Sequence, residues 1–195
     1  MRALKLGVGL TALSLLVSTA ALAGWQDVAS PYDQQRLGKI DEARAKGLSE
    51  AQGGSDMGAI HGALDSAGGS VGSVEGGWRC RTIKLGGMAP SRVYSWFSCR
   101  VSSRGGHLFF QKINGSQRTS GYLYPNGNGT YVYLGATNMS TEPLHAYSGS
   151  GASVGAGATP DDQIGLLVGI GSGHARIELP YPVQESTFDV IELKR

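Results

Sequence analysis

The chain has 195 residues, with 41% hydrophobic and 16% charged side chains. That balance excludes a highly charged disordered chain and a polytopic membrane protein, and the length suits one domain with some extra sequence. The 31 glycines lack a three-residue period, which excludes collagen and favours short strands joined by many turns. The formal charge of +2 includes Arg2 and Lys5, which lie in a segment expected to be removed. The remaining chain is then neutral, which argues against a general affinity for nucleic acid or anionic membrane.

Arg2 and Lys5 precede an apolar run from Leu6 to Val17, and Ala21-Leu22-Ala23 places small residues where a signal peptidase reads. The pattern predicts a signal peptide over residues 1–23, cleaved after Ala23. The run is too short for a membrane anchor, so no stable membrane insertion is expected after cleavage. The only cysteines, Cys80 and Cys99, are then expected to form a disulfide in an oxidising compartment.

Residues 24–75 read as a helical N-terminal arm and linker. Ser30 is an N-cap candidate, Pro31 suits the first helical position and Asp33 completes a capping-box spacing. Leu37, Ile40 and Ala43 or Arg44 continue the helical period, with Gly47 as its end. A second helix begins near Ser55 with Met57, Ile60 and Leu64 on one stripe and ends at Gly68-Gly69. Glycine-, serine- and valine-rich sequence follows to Gly77.

Residues 76–195 read as strands. The candidates are Trp78–Lys84, Tyr94–Val101, His107–Ile113, Thr119–Tyr124, Thr130–Leu134, Gln163–Ile170, His174–Leu179 and Phe188–Leu193. Pro125–Gly129 is a hairpin turn, and Gly149–Thr159 a mobile surface loop. Eight short strands without intervening helices predict a mainly β (α+β) fold: a small antiparallel barrel or sandwich carrying the helical arm.

Charge is unevenly distributed. Gly24–Glu75 holds eight acids and four bases, whereas Gly76–Arg118 holds eight bases and no acid. An acidic arm beside a basic β-half invites docking of one on the other. If Cys80 lies opposite Cys99, Trp78, Cys80 and Thr82 share a core-facing surface with Phe97, Cys99 and Val101. Arg79, Arg81 and Ile83 then share the other face with Trp96, Ser98 and Arg100, and Arg79 falls opposite Arg100. This repulsion needs an offset: acids of the arm, a stacked Trp96 or a bound anion. Arg79, Arg81, Trp96 and Arg100, extended by Arg118, are therefore the candidate binding residues. The competing reading is ordinary structural pairing.

No catalytic constellation stands out. The four histidines lack metal-ligand spacing, the hydrolase elbow is missing, and no cofactor or metal is expected. The polar segment Gly115–Gly121 reads either as a functional loop or as a turn that satisfies its own backbone.

Several stretches resemble the bacterial exported family called domain of unknown function 4893. They are Gly77-Trp78-Arg79-Cys80-Arg81, Lys84-Leu85-Gly86-Gly87, Trp96-Phe97-x-Cys99-Arg100, Gly115–Gly121, Leu134-Gly135 and Asp162-x-Ile164-Gly165. The ending, Leu179-Pro180-Tyr181-Pro182 through Glu185-Ser186 to Glu192-Leu193, and Pro31-x-Asp33-x-x-Arg36-Leu37 in the arm are similar too. The resemblance implies a Gram-negative periplasmic protein and carries no activity. An exported small barrel with one disulfide is also similar in architecture to bacterial inhibitors of secreted metalloproteases, whose N-terminal arm enters the protease cleft. The expected function is non-catalytic: a monomer that binds a small ligand or an envelope protein. A protease inhibitor is the alternative, and a hydrolase whose triad assembles only in space is the remotest reading.

Overall fold

The computed structural model describes residues 24–149 and 160–195. The expected signal peptide and nearly all of the Gly149–Thr159 loop lie outside the described residues. Four short helices, α1 (Trp25–Val28), α2 (Pro31–Leu37), α3 (Ile40–Glu50) and α4 (Met57–Leu64), precede nine strands. The strands are β1 (Gly76–Leu85), β2 (Ser91–Val93), β3 (Phe97–Arg104), β4 (His107–Lys112), β5 (Gln117–Pro125), β6 (Tyr131–Met139), β7 (Asp162–Gly171), β8 (His174–Pro180) and β9 (Phe188–Lys194). All neighbouring pairs are antiparallel. β9 returns to β1, so eight strands close into a barrel and β2 is appended to the end of β1. Closure removes the free edges that eight short strands would otherwise expose.

Each of the eight predicted strands corresponds to a barrel strand. β2 was not anticipated: three residues carry too little pattern, and the expected Tyr94–Val101 strand starts only at Phe97. The Pro125–Gly129 turn is present, with Gly127, Asn128 and Gly129 all at positive φ.

The arm departs from expectation in its boundaries: α1 is an additional turn of helix, the first expected helix is split in two, and α4 ends at Leu64, short of Gly68-Gly69. Ser30 does cap α2, its Oγ accepting from the Asp33 N–H at 3.2 Å. The helix then breaks at Gly38, and α3 runs through Gly47 to Glu50. Gly47 does not end the helix. It is buried against β1 and β9, where a Cβ would stand 2.8 Å from Phe188 Cβ. Glycine there permits close helix–strand approach.

Three apolar clusters hold the molecule together. Inside the barrel, Trp78, Phe110, Leu123, Tyr133, Leu167, Ile177 and Ile191 pack with the Cys80–Cys99 disulfide. Outside it, Ala43, Ile60, Ala63 and Leu64 of the arm cover Ile83, Leu85, Phe188 and Val190. Trp25, Val28 and Leu37 cover Val132, Leu134 and Ile164. β9 is therefore buried on both faces. One end of the barrel is closed by the linker, where Gly69 bridges Gly169 and Val71 and Val74 join the interior cluster. The opposite end is polar.

The expected β1–β3 register is off by two. Trp78 pairs with Cys99 and Cys80 with Phe97, so the disulfide is diagonal, with a Cα–Cα distance of 5.8 Å. A shift of two keeps the parity: Trp78, Cys80, Cys99 and Val101 do face the core. The predicted Arg79–Arg100 confrontation does not occur, because Arg79 stands opposite Ser98 and Arg100 opposite Gly77.

Candidate functional site

The basic face of β1 and β3 is built around Trp96. Trp96 carries three cations: Arg81 at 4.7 Å from its ring centre, Arg79 at 5.3 Å and Lys194 at 5.4 Å. The counter-charge is Glu192 on β9, with a fully buried side chain. It accepts from Arg81 Nε at 2.6 Å, pairs with His174 Nε2 at 2.8 Å and meets Lys194 Nζ at 3.1 Å. Burial alone would raise the Glu192 carboxyl, but hydrogen bonds from Arg81, Lys194 and His174 outweigh it and hold the group below its ordinary value. Of the offsets anticipated, the stacked Trp96 is present, and β9 rather than the arm supplies the acid. Arg79 and Arg100 remain exposed on this face. Arg118 belongs elsewhere, at the rim of the polar barrel end, where its Nε donates to Gly115 O at 3.1 Å.

The arm docks, and Glu50 accepts from the Gly87 N–H at 3.2 Å, but among the described residues its acids form no ion pair with the basic half. Its arginines make the ionic and carbonyl contacts. Arg36 donates to the Asp162 and Tyr181 carbonyls at 2.8 and 3.2 Å, and Arg44 pairs with Glu178, which also holds Arg176.

The interior offers little space. Gly121 lies opposite Gly135, and Tyr133 opposite Gly165. This layer without side chains accommodates the buried Tyr133, whose hydroxyl meets Thr119 Oγ1 at 2.6 Å. Towards the polar end the cavity among Thr82, Lys112, Thr119, Gln163 and Asp189 measures about 40 Å³, room for a few atoms.

A roomier and mainly aromatic site is on the outer wall. A groove of about 370 Å³ lies over β4, β5 and β6, between α1 and the 144–147 segment. Its floor and walls include Phe109, Tyr122, Tyr124, Leu134 and Tyr147. Phe109 and Tyr122 meet edge to face at 5.0 Å, and His107 lies 5.2 Å from the Tyr124 ring. Arg104 stacks on Phe109, its Cζ 4.0 Å from the ring centre. Ser120, on the groove's lining and only 1% exposed, has a hydroxyl with no hydrogen-bond partner among the described residues. A buried hydroxyl without a partner costs roughly 1–3 kcal/mol, an unmet hydrogen-bond demand at the floor of the groove. The arm builds one side of the groove. Trp25 Nε1 donates to Asn126 Oδ1 at 2.9 Å, and the Tyr147 hydroxyl donates to Asp33 while accepting from the Ser30 N–H at 2.9 Å. Burial and the Asp33 carboxylate push the Tyr147 phenol up to about 12.

Sequence reasoning missed this groove. Tyr122 and Tyr124 were legible as alternating residues of β5, but the roof comes from residues distant in sequence. Ser120 lay within the singled-out Gly115–Gly121 segment, of which only Gly115, at φ 91°, and Ser116 form a bend, while Gln117–Gly121 is the first half of β5.

Fold and groove together define a class: a closed eight-stranded antiparallel barrel whose outer wall, between an N-terminal helical arm and the 144–147 segment, carries an aromatic cavity. The profile of the family Domain of unknown function (DUF4893) matches residues 25–193, and the chain belongs to that family. No curated protein and no solved structure matches it. Among the described residues no helix is long and apolar enough to cross a membrane.

Proposed function

We propose that the protein is an exported, periplasmic, non-catalytic binding protein acting as a monomer, and that the aromatic groove seats a small planar ligand. The observation that carries this reading is the unpartnered, buried Ser120 hydroxyl in a groove of about 370 Å³, a volume in the range of small-molecule sites. Ring faces favour a flat apolar or aromatic body, and Arg104 at the edge favours an acidic substituent. The N-terminal leader pattern and the Cys80–Cys99 disulfide support export.

The hydrolase reading lacks a poised base. His145 borders the groove and pairs with Asp161 at 3.3 Å, yet the Ser120 hydroxyl makes no hydrogen bond to it. The inhibitor reading needs an arm free to enter a protease cleft, whereas Arg36, Arg44 and the two outer apolar clusters fasten this arm to the barrel. The Trp96 face, with Arg79 and Arg100 exposed, offers an envelope partner an anion-binding surface separate from the groove.

The test is a fluorescence titration with 1-anilinonaphthalene-8-sulfonate, a flat aromatic anion. One equivalent should bind the folded protein, with affinity lost in Ser120→Phe, which fills the groove, and reduced in Tyr122→Ala. Unchanged binding in both variants would refute the assignment.

A further inference from the structure

The polar end of the barrel contains an uncompensated cation. Lys112, at the end of β4, is only 7% exposed, yet among the described residues it forms no ion pair with a carboxylate. Its Nζ donates to the Gln117 carbonyl at 2.7 Å and lies 4.2 Å from the Phe97 ring centre. An ammonium has three donors, so this environment leaves it under-coordinated.

Its neighbours do not correct the imbalance. Arg118, on the same cavity, forms no ion pair among the described residues and uses Nε on a backbone carbonyl. Lys84 is also on the cavity but is committed to Glu185, with Asp189 close by. Asp189 accepts from the Ser186 hydroxyl at 2.5 Å. Asp162, on the adjoining rim, accepts from the Ser148 N–H at 2.9 Å and from its hydroxyl. Burial, with Lys84 and Arg118 nearby, pushes the Lys112 ammonium below its ordinary value. An anion beside it would relieve both the repulsion and the missing contacts.

We infer that the polar barrel end is a second site, distinct from the aromatic groove, that takes the carboxylate of a small monocarboxylic acid between Lys112 and Arg118. The cavity of about 40 Å³ sets the size. A water needs roughly 10–15 Å³ on this measure, so a carboxylate with a methyl group fits and a bulky acid does not. Gln163, which shares the cavity, has an amide N–H to offer the second oxygen, whereas the Thr119 hydroxyl already donates to Gln163 Oε1.

The experiment is a thermal unfolding series on the purified protein in which sodium pivalate is replaced stepwise by sodium acetate at constant total concentration. Both salts carry the same charge, so the exchange removes the bulk electrostatic effect, and comparison with Arg118→Gln separates a response at this site from a general effect of the pivalate tert-butyl group. The unfolding midpoint should rise and saturate with acetate. Arg118→Gln should weaken the response about tenfold, as expected for loss of one charge-assisted hydrogen bond, and Lys112→Met should abolish it. If Lys112→Met does not fold, Arg118→Gln decides the matter alone. A midpoint indifferent to the exchange, or an acetate response unchanged in Arg118→Gln, would overturn the inference.

Discussion

Asp33 and Arg36 pair at 2.6 Å on one face of α2, with side chains only 3% and 6% exposed. The same guanidinium reaches the Asp162 and Tyr181 carbonyls, and the same carboxylate receives the Tyr147 hydroxyl. Two residues of the arm thereby connect it to both β7 and the groove's roof.

Breaking that pair should loosen the arm. Arg36→Ala leaves a buried carboxylate without its cation, a change that costs about 3–5 kcal/mol. Denaturant unfolding should show this loss, and Arg36→Met combined with Asp33→Asn should recover part of it. Equal stability of Arg36→Ala and wild type would show that the arm is held by its apolar contacts alone.

The interior layer without side chains makes a second prediction. A Cβ at Gly135 would stand 2.2 Å from Tyr133 Oη and 2.4 Å from the Ser120 carbonyl. Gly135→Ala should therefore destabilise the barrel by about 1–3 kcal/mol or more, read as a lowered unfolding midpoint. Adding Tyr133→Phe, which removes the nearer atom, should relieve part of the loss.

Much of this arrangement was legible in the sequence. Short runs bounded by turn residues marked all eight barrel strands, and Ser30-Pro31 marked the start of α2. The disulfide fixed which residues face the core even though the register was misplaced by two, because parity survives an even shift. The position of Trp96 among Arg79 and Arg81 followed from the same parity. Its counter-ion did not: Glu192 reaches β1 only because the last strand closes the barrel, a pairing between opposite ends of the domain. The groove was illegible for a similar reason, since its roof and floor meet only after the arm has docked. Gly47 misled because a glycine at a helix end and one at a close contact look alike in sequence.

Stability should depend on pH through Asp189. Burial is the main cause that raises its carboxyl to about 6, and Glu185 adds to it against the opposing pull of Ser186 and Lys84. The folded state therefore holds its proton more tightly than the unfolded state, whose value lies near 4. The sign follows: this group costs nothing at pH below about 4, and folded stability falls as pH rises from there through 6. Asp189→Asn removes that dependence. Unfolding measured at successive pH values should show the variant gaining on wild type between pH about 4 and 7, by about 3 kcal/mol at most. A constant difference across that window would contradict the account.

The disulfide should matter to stability and leave the groove's chemistry alone. Cys80 and Cys99 are 19 residues apart, and a loop of that size is worth about 3 kcal/mol on the chain-entropy model. Replacing both cysteines by alanine should lower the unfolding free energy by about this amount or more, given that both are buried. Binding of the aromatic probe to the remaining folded protein should be unchanged.

The most direct test of a ligand-carrying groove is a native mass spectrum of the protein purified gently from the periplasm of its own host, compared with the Ser120→Phe variant prepared identically. The account predicts a monomer that retains a small molecule in the wild type and loses it in the variant. The same adduct on both, or none on either, would contradict it.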